Sequence, residues 1–192
     1  MAGGNIQEVI NPMEILIVII AAVILVSLAA AGIVSNNRRK LRESFGPEYE
    51  QVAQEHGSGR EADRELQRRK HEHDKLDLRP VSPQDQEFYA ASWDHLQAEF
   101  LDNPALSLDN AEHLVAQLLD FRGYPGEDPN EQLALLSVEH AESLADYRTA
   151  QGVSRQVHED ASSASTEEIR QALLSYHVLF DDLLADSSVA HA

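Results

Sequence analysis

Apolar positions along this chain follow two different patterns. From Ile15 to Val34 they are continuous, ILIVIIAAVILVSLAAAGIV, with one hydroxyl and no charge. A helix over those residues is roughly 30 Å long, the thickness of a bilayer's hydrocarbon, and it satisfies every backbone donor and acceptor internally. Beyond residue 80 the apolar positions instead recur three and four apart. Tyr89, Trp93, Leu96 and Phe100 form one stripe. Leu108, Ala111, Val115 and Leu118 form a second, widened by Leu114 and Phe121, and Ile169, Leu173, Tyr176, Phe180 and Leu183 a third. That period predicts amphipathic helices burying one face against each other. No window alternates over enough residues to predict a strand.

Local punctuation sets the expected ends. Ser82-Pro83, Asn103-Pro104 and Asp128-Pro129 each place an N-cap residue before a proline at the first helical position, and Ser165 with Glu168 reads as a capping box. Helices are predicted over 83–101, 105–122, 129–150 (with a break around Ser137) and 166–185. Gly123 stops the second, and Tyr124-Pro125-Gly126 turns the chain. Between the apolar run and this bundle, Phe45-Gly46-Pro47 breaks the pattern and a helix is predicted to about His56. Gly57-Ser58-Gly59 reads as a flexible joint. Residues 60–76 alternate in charge, with Glu65 near Arg68 and Arg69, and Lys70 near Asp74, at helical spacings. Apolar residues there are few (Ala62, Leu66 and Leu76), so the segment is expected to be a solvated neck. The expected fold is all-α: a short extracytoplasmic N-terminus (1–14), a transmembrane helix (15–34), a basic juxtamembrane cluster and charged helical neck (35–80), a small C-terminal bundle of about four helices (81–186), and a disordered tail (187–192).

Charge gives the span a direction. The first fourteen residues carry Glu8 and Glu14 and no Lys or Arg, whereas Arg38, Arg39, Lys40 and Arg42 follow the span closely. Basic residues stay in the cytoplasm, so the N-terminus is expected outside, with the C-terminal domain on the cytoplasmic face of the plasma membrane. These four residues are the candidate membrane-interface and topology determinants, within reach of anionic headgroups of the lipid bilayer. A signal peptide needs a basic start and a shorter apolar core; Ala29-Ala30-Ala31 nonetheless offers an A-x-A-like site, and secretion after cleavage near Ala31 is kept as an alternative. Ser27 and Ala31 have a small-xxx-small spacing, which an Ala-rich helix offers by chance and which carries no dimer prediction.

Downstream the balance changes sign. Residues 36–80 hold eleven Lys or Arg against ten Asp or Glu, whereas 81–192 hold four Arg against twenty-one Asp or Glu, a net −17. So negative a surface repels phosphate backbones, which argues against a nucleic-acid partner; it reads first as a solubilising surface and, as the sharper alternative, as a docking face for a basic protein partner. About 155 residues after the span allow one modest domain, and with no Cys there is no disulfide framework or thiolate site.

Candidate chemistry is thin. His71 and His73 lie about 200° apart on a helix and cannot share an ion, and no two of the nine histidines have the four-residue spacing of H-E-x-x-H. His95, His113, His140, His158 and His177 are scattered over the predicted helices and connections, and only packing could bring them together. Glu112-His113 and Glu139-His140 are adjacent pairs, not the Glu-x-x-His of di-iron bundles. Ser92 and Ser175 lie mid-helix without a nucleophile elbow, and Gly57-Ser58-Gly59 lacks the G-K-[ST] of a phosphate loop. No cofactor is expected. Trp93 and the ring stripe read as core, not as the lining of a cofactor pocket.

The runs RRKLRESFGPEYEQVAQEHG, RELQRRKHEHDKLDLRPVSPQDQEFYAASWDHLQAEFLDNP and LLDFRGYP resemble a group of uncharacterised bacterial, mainly actinobacterial, single-pass membrane proteins with a charged neck and a helical C-terminal domain. The likeness covers roughly 38–185 and implies that architecture; it implies no activity and no site residues. The leading expectation is a membrane-tethered, non-enzymatic interaction or adaptor protein presenting an acidic cytoplasmic domain. The alternative from another class is a ligand-binding or enzymatic helical domain.

Overall fold

The structure, a computed structural model, describes residues 12–185. The expected tail at 187–192 and all but the last residues of the expected extracytoplasmic segment 1–14 lie outside the described residues. The fold is all-α, with eight helices and no strand among the described residues. The chain divides into two compact units, one ending at Leu41 and one beginning at Arg42.

Helix α1 (Pro12–Phe45) carries the apolar run. It is the one helix among the described residues long and apolar enough to cross a membrane, and no part of its apolar window is buried against protein. Leu16, Val26 and Val34 are more than half exposed. The helix continues through Arg38, Arg39, Lys40 and Arg42 and ends at Gly46, whose φ of +46° only glycine adopts freely.

In the second unit the expected caps are in place. Ser82, Asn103 and Asp128 accept hydrogen bonds from the backbone N–H groups of Asp85, Leu106 and Asn130, opening α4 (Pro83–Glu99), α5 (Pro104–Arg122) and α6 (Pro129–Leu136). Ser165 and Glu168 form the capping box of α8 (Thr166–Ala185) reciprocally, at 2.7 and 3.2 Å. The predicted 129–150 helix is two helices. The chain leaves helical geometry after Leu136, and α7 restarts at Ala141 and runs on to Glu159. With the expected break around Ser137 in place, the bundle of about four helices is α4, α5, the broken pair α6 and α7, and α8. Its core takes all three predicted stripes, with Tyr176, Leu118, Leu119, Leu144 and Leu179 fully enclosed.

The solvated neck is corrected. Helices α2 (Pro47–His56) and α3 (Gly59–His73) turn over Gly57 and lie against each other, with α2 also on α7 and α3 on α6. Phe45, Val52, Ala62 and Leu66 are completely buried and Tyr49 nearly so. The buried positions of α3 are Ala62, Leu66, Arg69 and His73, stepping four, three and four. That is an ordinary core stripe whose last two members are ionisable, so a reading based on apolar residues alone loses it. The joint before α3 is also built: Ser58 caps it, accepting from the Glu61 N–H and donating to the Glu61 carboxylate.

One connection matters for position. Residues 74–82 run from α3 to α4 across the end of α5, where the Arg79 N–H donates to the Arg122 carbonyl at 2.8 Å. Gly123 closes α5 with φ +99°, and a Cβ there would meet the Asp77 carbonyl oxygen at 2.9 Å. Both the left-handed backbone and the close approach require glycine.

Candidate functional site

Three places in the second unit gather polar chemistry, and each can be tested as a site. The first is buried. Glu48 on α2, 3% exposed, accepts from Arg69 at 2.8 Å and from both terminal nitrogens of Arg148 at 2.7 and 2.9 Å. Arg69 also donates to Glu65 at 2.9 Å and to Ser137 at 3.2 Å, and Arg68 bridges Glu65 to Glu131. Burial pushes the Glu48 carboxyl up, but Arg148 and Arg69 outweigh it and hold the group below its ordinary value. Glu65 is held at about 2, chiefly by Arg68. Every charge has an opposite partner and the Glu48–Arg69 centre is enclosed, so this network fastens α2 and α3 to α6 and α7.

The second holds histidines. His140 Nδ1 lies 2.8 Å from Asp182, which also accepts from Ser143 at 3.3 Å. The His140 ring is only 2% exposed, so a dissolved substrate does not reach its other nitrogen. The remaining histidines do not converge on it. His71 is exposed and His73 buried, on opposite faces of α3 as their spacing dictates. His95 and His113 face a polar groove between α4 and α5, His158 bonds Asp109 at 2.6 Å, and His177 lies against Trp93. Among the described residues no three His, Asp or Glu are grouped to hold a metal ion.

The third is an open surface where α4 and α8 meet. The two helices run antiparallel: Gln86 donates to the Leu184 carbonyl, Tyr89 meets Phe180, and Trp93 meets Phe180 and His177 at ring separations of 4.8 and 4.7 Å. Towards the start of α8 the two helices border a groove of ≈ 220 Å³, lined by Trp93, Gln97, Phe100, Arg170, Leu173, Leu174 and His177. Drug-sized ligands fill cavities of about 300–1,000 Å³, so this groove suits one or two apolar side chains. Leu174 is 45% and Val178 53% exposed, one helical turn apart on the same face of α8, and Phe88 on α4 is 64% exposed. Trp93, expected as core, is core at 2% exposure, and the little of it that is open borders the groove.

The two helices that border this groove are acidic. Helix α4 carries Asp85, Glu87, Asp94 and Glu99 with no Lys or Arg. Helix α8 carries Glu167, Glu168, Asp181 and Asp182 against Arg170, and Arg170 is taken by Glu167 at 2.7 Å. The field reaches inward: burial first, then the Asp85 and Asp120 carboxylates, raise the Tyr89 phenol above its ordinary value. The exposed apolar positions went unnoticed in the sequence because they sit beside the core stripes. Their signal was the Leu174–Val178 pair, offset by one residue from Leu173.

Of the candidate topology residues, Arg39, Lys40 and Arg42 are exposed and Arg38 is partly so. Arg42 is also engaged by α2, with its guanidinium 4.9 Å from the Tyr49 ring centre and 3.6 Å from Glu50. Comparison of the chain with protein-family models, curated proteins and solved structures returned no match.

Proposed function

We propose that this protein is a single-pass, membrane-tethered adaptor without enzymatic activity, which presents an acidic helical domain to a basic protein partner. In this reading α1 spans the plasma membrane with the N-terminus outside, and Arg38, Arg39, Lys40 and Arg42 keep the C-terminal domain on the cytoplasmic side. The likeness to bacterial, mainly actinobacterial, single-pass proteins supports the same arrangement. The observation that carries the docking role is the acidity of α4 and α8, which together carry eight carboxylates against one already paired arginine and border a groove with exposed apolar side chains. Acidic surroundings speed encounter with a cationic partner, and apolar anchors give the contact its lifetime.

Two measurements test this. With a tag at Ala192, protease added to intact cells should leave the tag untouched, and cleavage from outside would overturn the tether. Crosslinking in isolated membranes followed by purification should recover a basic protein whose yield falls as salt is raised. Recovery of background proteins alone would overturn the adaptor role.

A further inference from the structure

The α4–α8 groove has features that select among basic partners. Its walls are apolar, its volume of ≈ 220 Å³ admits an aliphatic or aromatic side chain, and Leu174 and Val178 extend the apolar surface by one helical turn. An occupant with apolar residues at i and i+4 matches that spacing, which is how an amphipathic helix seats in a groove. Asp94 follows Trp93 on α4 and Asp181 lies 3.4 Å from the groove residue His177, so a basic polar face meets carboxylates there, and the one arginine lining the groove, Arg170, is paired with Glu167. A second copy of this domain, or an anionic lipid surface, brings like charge to the same place and is disfavoured.

We infer that the groove between α4 and α8 is the docking site for a basic amphipathic helical segment of a partner protein, whose apolar side chain seats against Trp93 and Leu174. The inference rests on the adaptor reading above and names the partner's chemistry and the place it binds.

Trp93 is the chain's single tryptophan and forms the groove wall, so it reports occupancy directly. The full chain in discs of neutral phosphatidylcholine is titrated with two Trp-free peptides of identical Leu and Lys composition. One peptide has the leucines on a single helical face and the other has them scrambled. The expected result is a saturable change in Trp93 emission with the amphipathic peptide, weakened by salt, and at least about tenfold weaker binding of the scrambled one. Leu174→Gln, at a half-exposed position that leaves the fold intact, should weaken the amphipathic peptide about tenfold. An unchanged affinity on Leu174→Gln overturns the inference. Equal binding of both peptides also overturns it, while leaving the acidic docking role standing. Failure of both peptides to bind removes that role from this surface too. Anionic vesicles that change Trp93 emission without peptide would make a membrane the occupant and overturn the inference.

Discussion

Replacing Glu48 with glutamine removes the carboxylate on which Arg69 and Arg148 converge. Breaking a buried ion pair from one side costs about 3–5 kcal/mol, because the remaining charge is left desolvated. Here the loss is softened. Arg69 keeps Glu65 at 2.9 Å and Ser137 at 3.2 Å, and Arg148, 24% exposed, keeps Gln51 at 3.0 Å. The expected cost is therefore about 2–3 kcal/mol. The sign with pH follows from the pKa. Glu48 titrates below 4.5 in the folded chain, so its contribution is full above 4.5 and is lost as pH falls through the folded value. Glutamine does not titrate, so the two proteins should converge in stability in acid. The assay is urea unfolding of the full chain in neutral detergent, followed by Trp93 fluorescence at pH 7 and at pH 3. Glu50→Gln is the comparison: its side chain is 64% exposed, and the change should cost less than about 0.5 kcal/mol. If Glu48→Gln costs no more than Glu50→Gln, α2 and α3 are solvated after all, and the reasoning from the buried network is refuted.

Other expectations follow from the same structure. Leu66→Ala empties a fully buried position of α3 and should cost about 2–5 kcal/mol in the same unfolding assay, where a solvated neck would lose nothing measurable. Gly123→Ala must hold φ +99° with its Cβ 2.9 Å from a backbone carbonyl oxygen, and should lower stability by about 1–3 kcal/mol, seen as a reduced unfolding midpoint. His158, bonded to Asp109 at 2.6 Å, has its pKa raised above 6.5 by that contact. The contact's small contribution is complete below 6.5 and fades as pH rises through the folded value. Imidazole NMR should show the raised titration, and Asp109→Asn should return it to the ordinary range.

Much of the architecture was legible because it is local. Twenty residues without a charge, all but Ser27 apolar, read as one long apolar helix. Side-chain caps and prolines mark helix starts within the chain itself, so Ser82, Asn103, Asp128 and Ser165 were readable, as were the stripes through Trp93, Leu118 and Tyr176. The break around Ser137 is local too, whereas α7 runs nine residues past the predicted end at 150, since nothing there stops a helix that stays packed on α8.

Tertiary structure decided the rest. Arg69 and His73 read as solvent-facing until a buried carboxylate from another helix, Glu48, makes it favourable to enclose Arg69. That partner is 21 residues away, and pairings at such distances leave no periodic trace. The candidate docking surface is non-local in the same way. Trp93 and Leu174 border one groove only because α4 and α8 are brought together, antiparallel, by the packed chain. The chain's own order determined helices, their ends and the charge each carries, through interactions spanning a few residues. Which polar residues are enclosed, and which apolar ones are left outside, depended on what lies opposite them once the helices are packed.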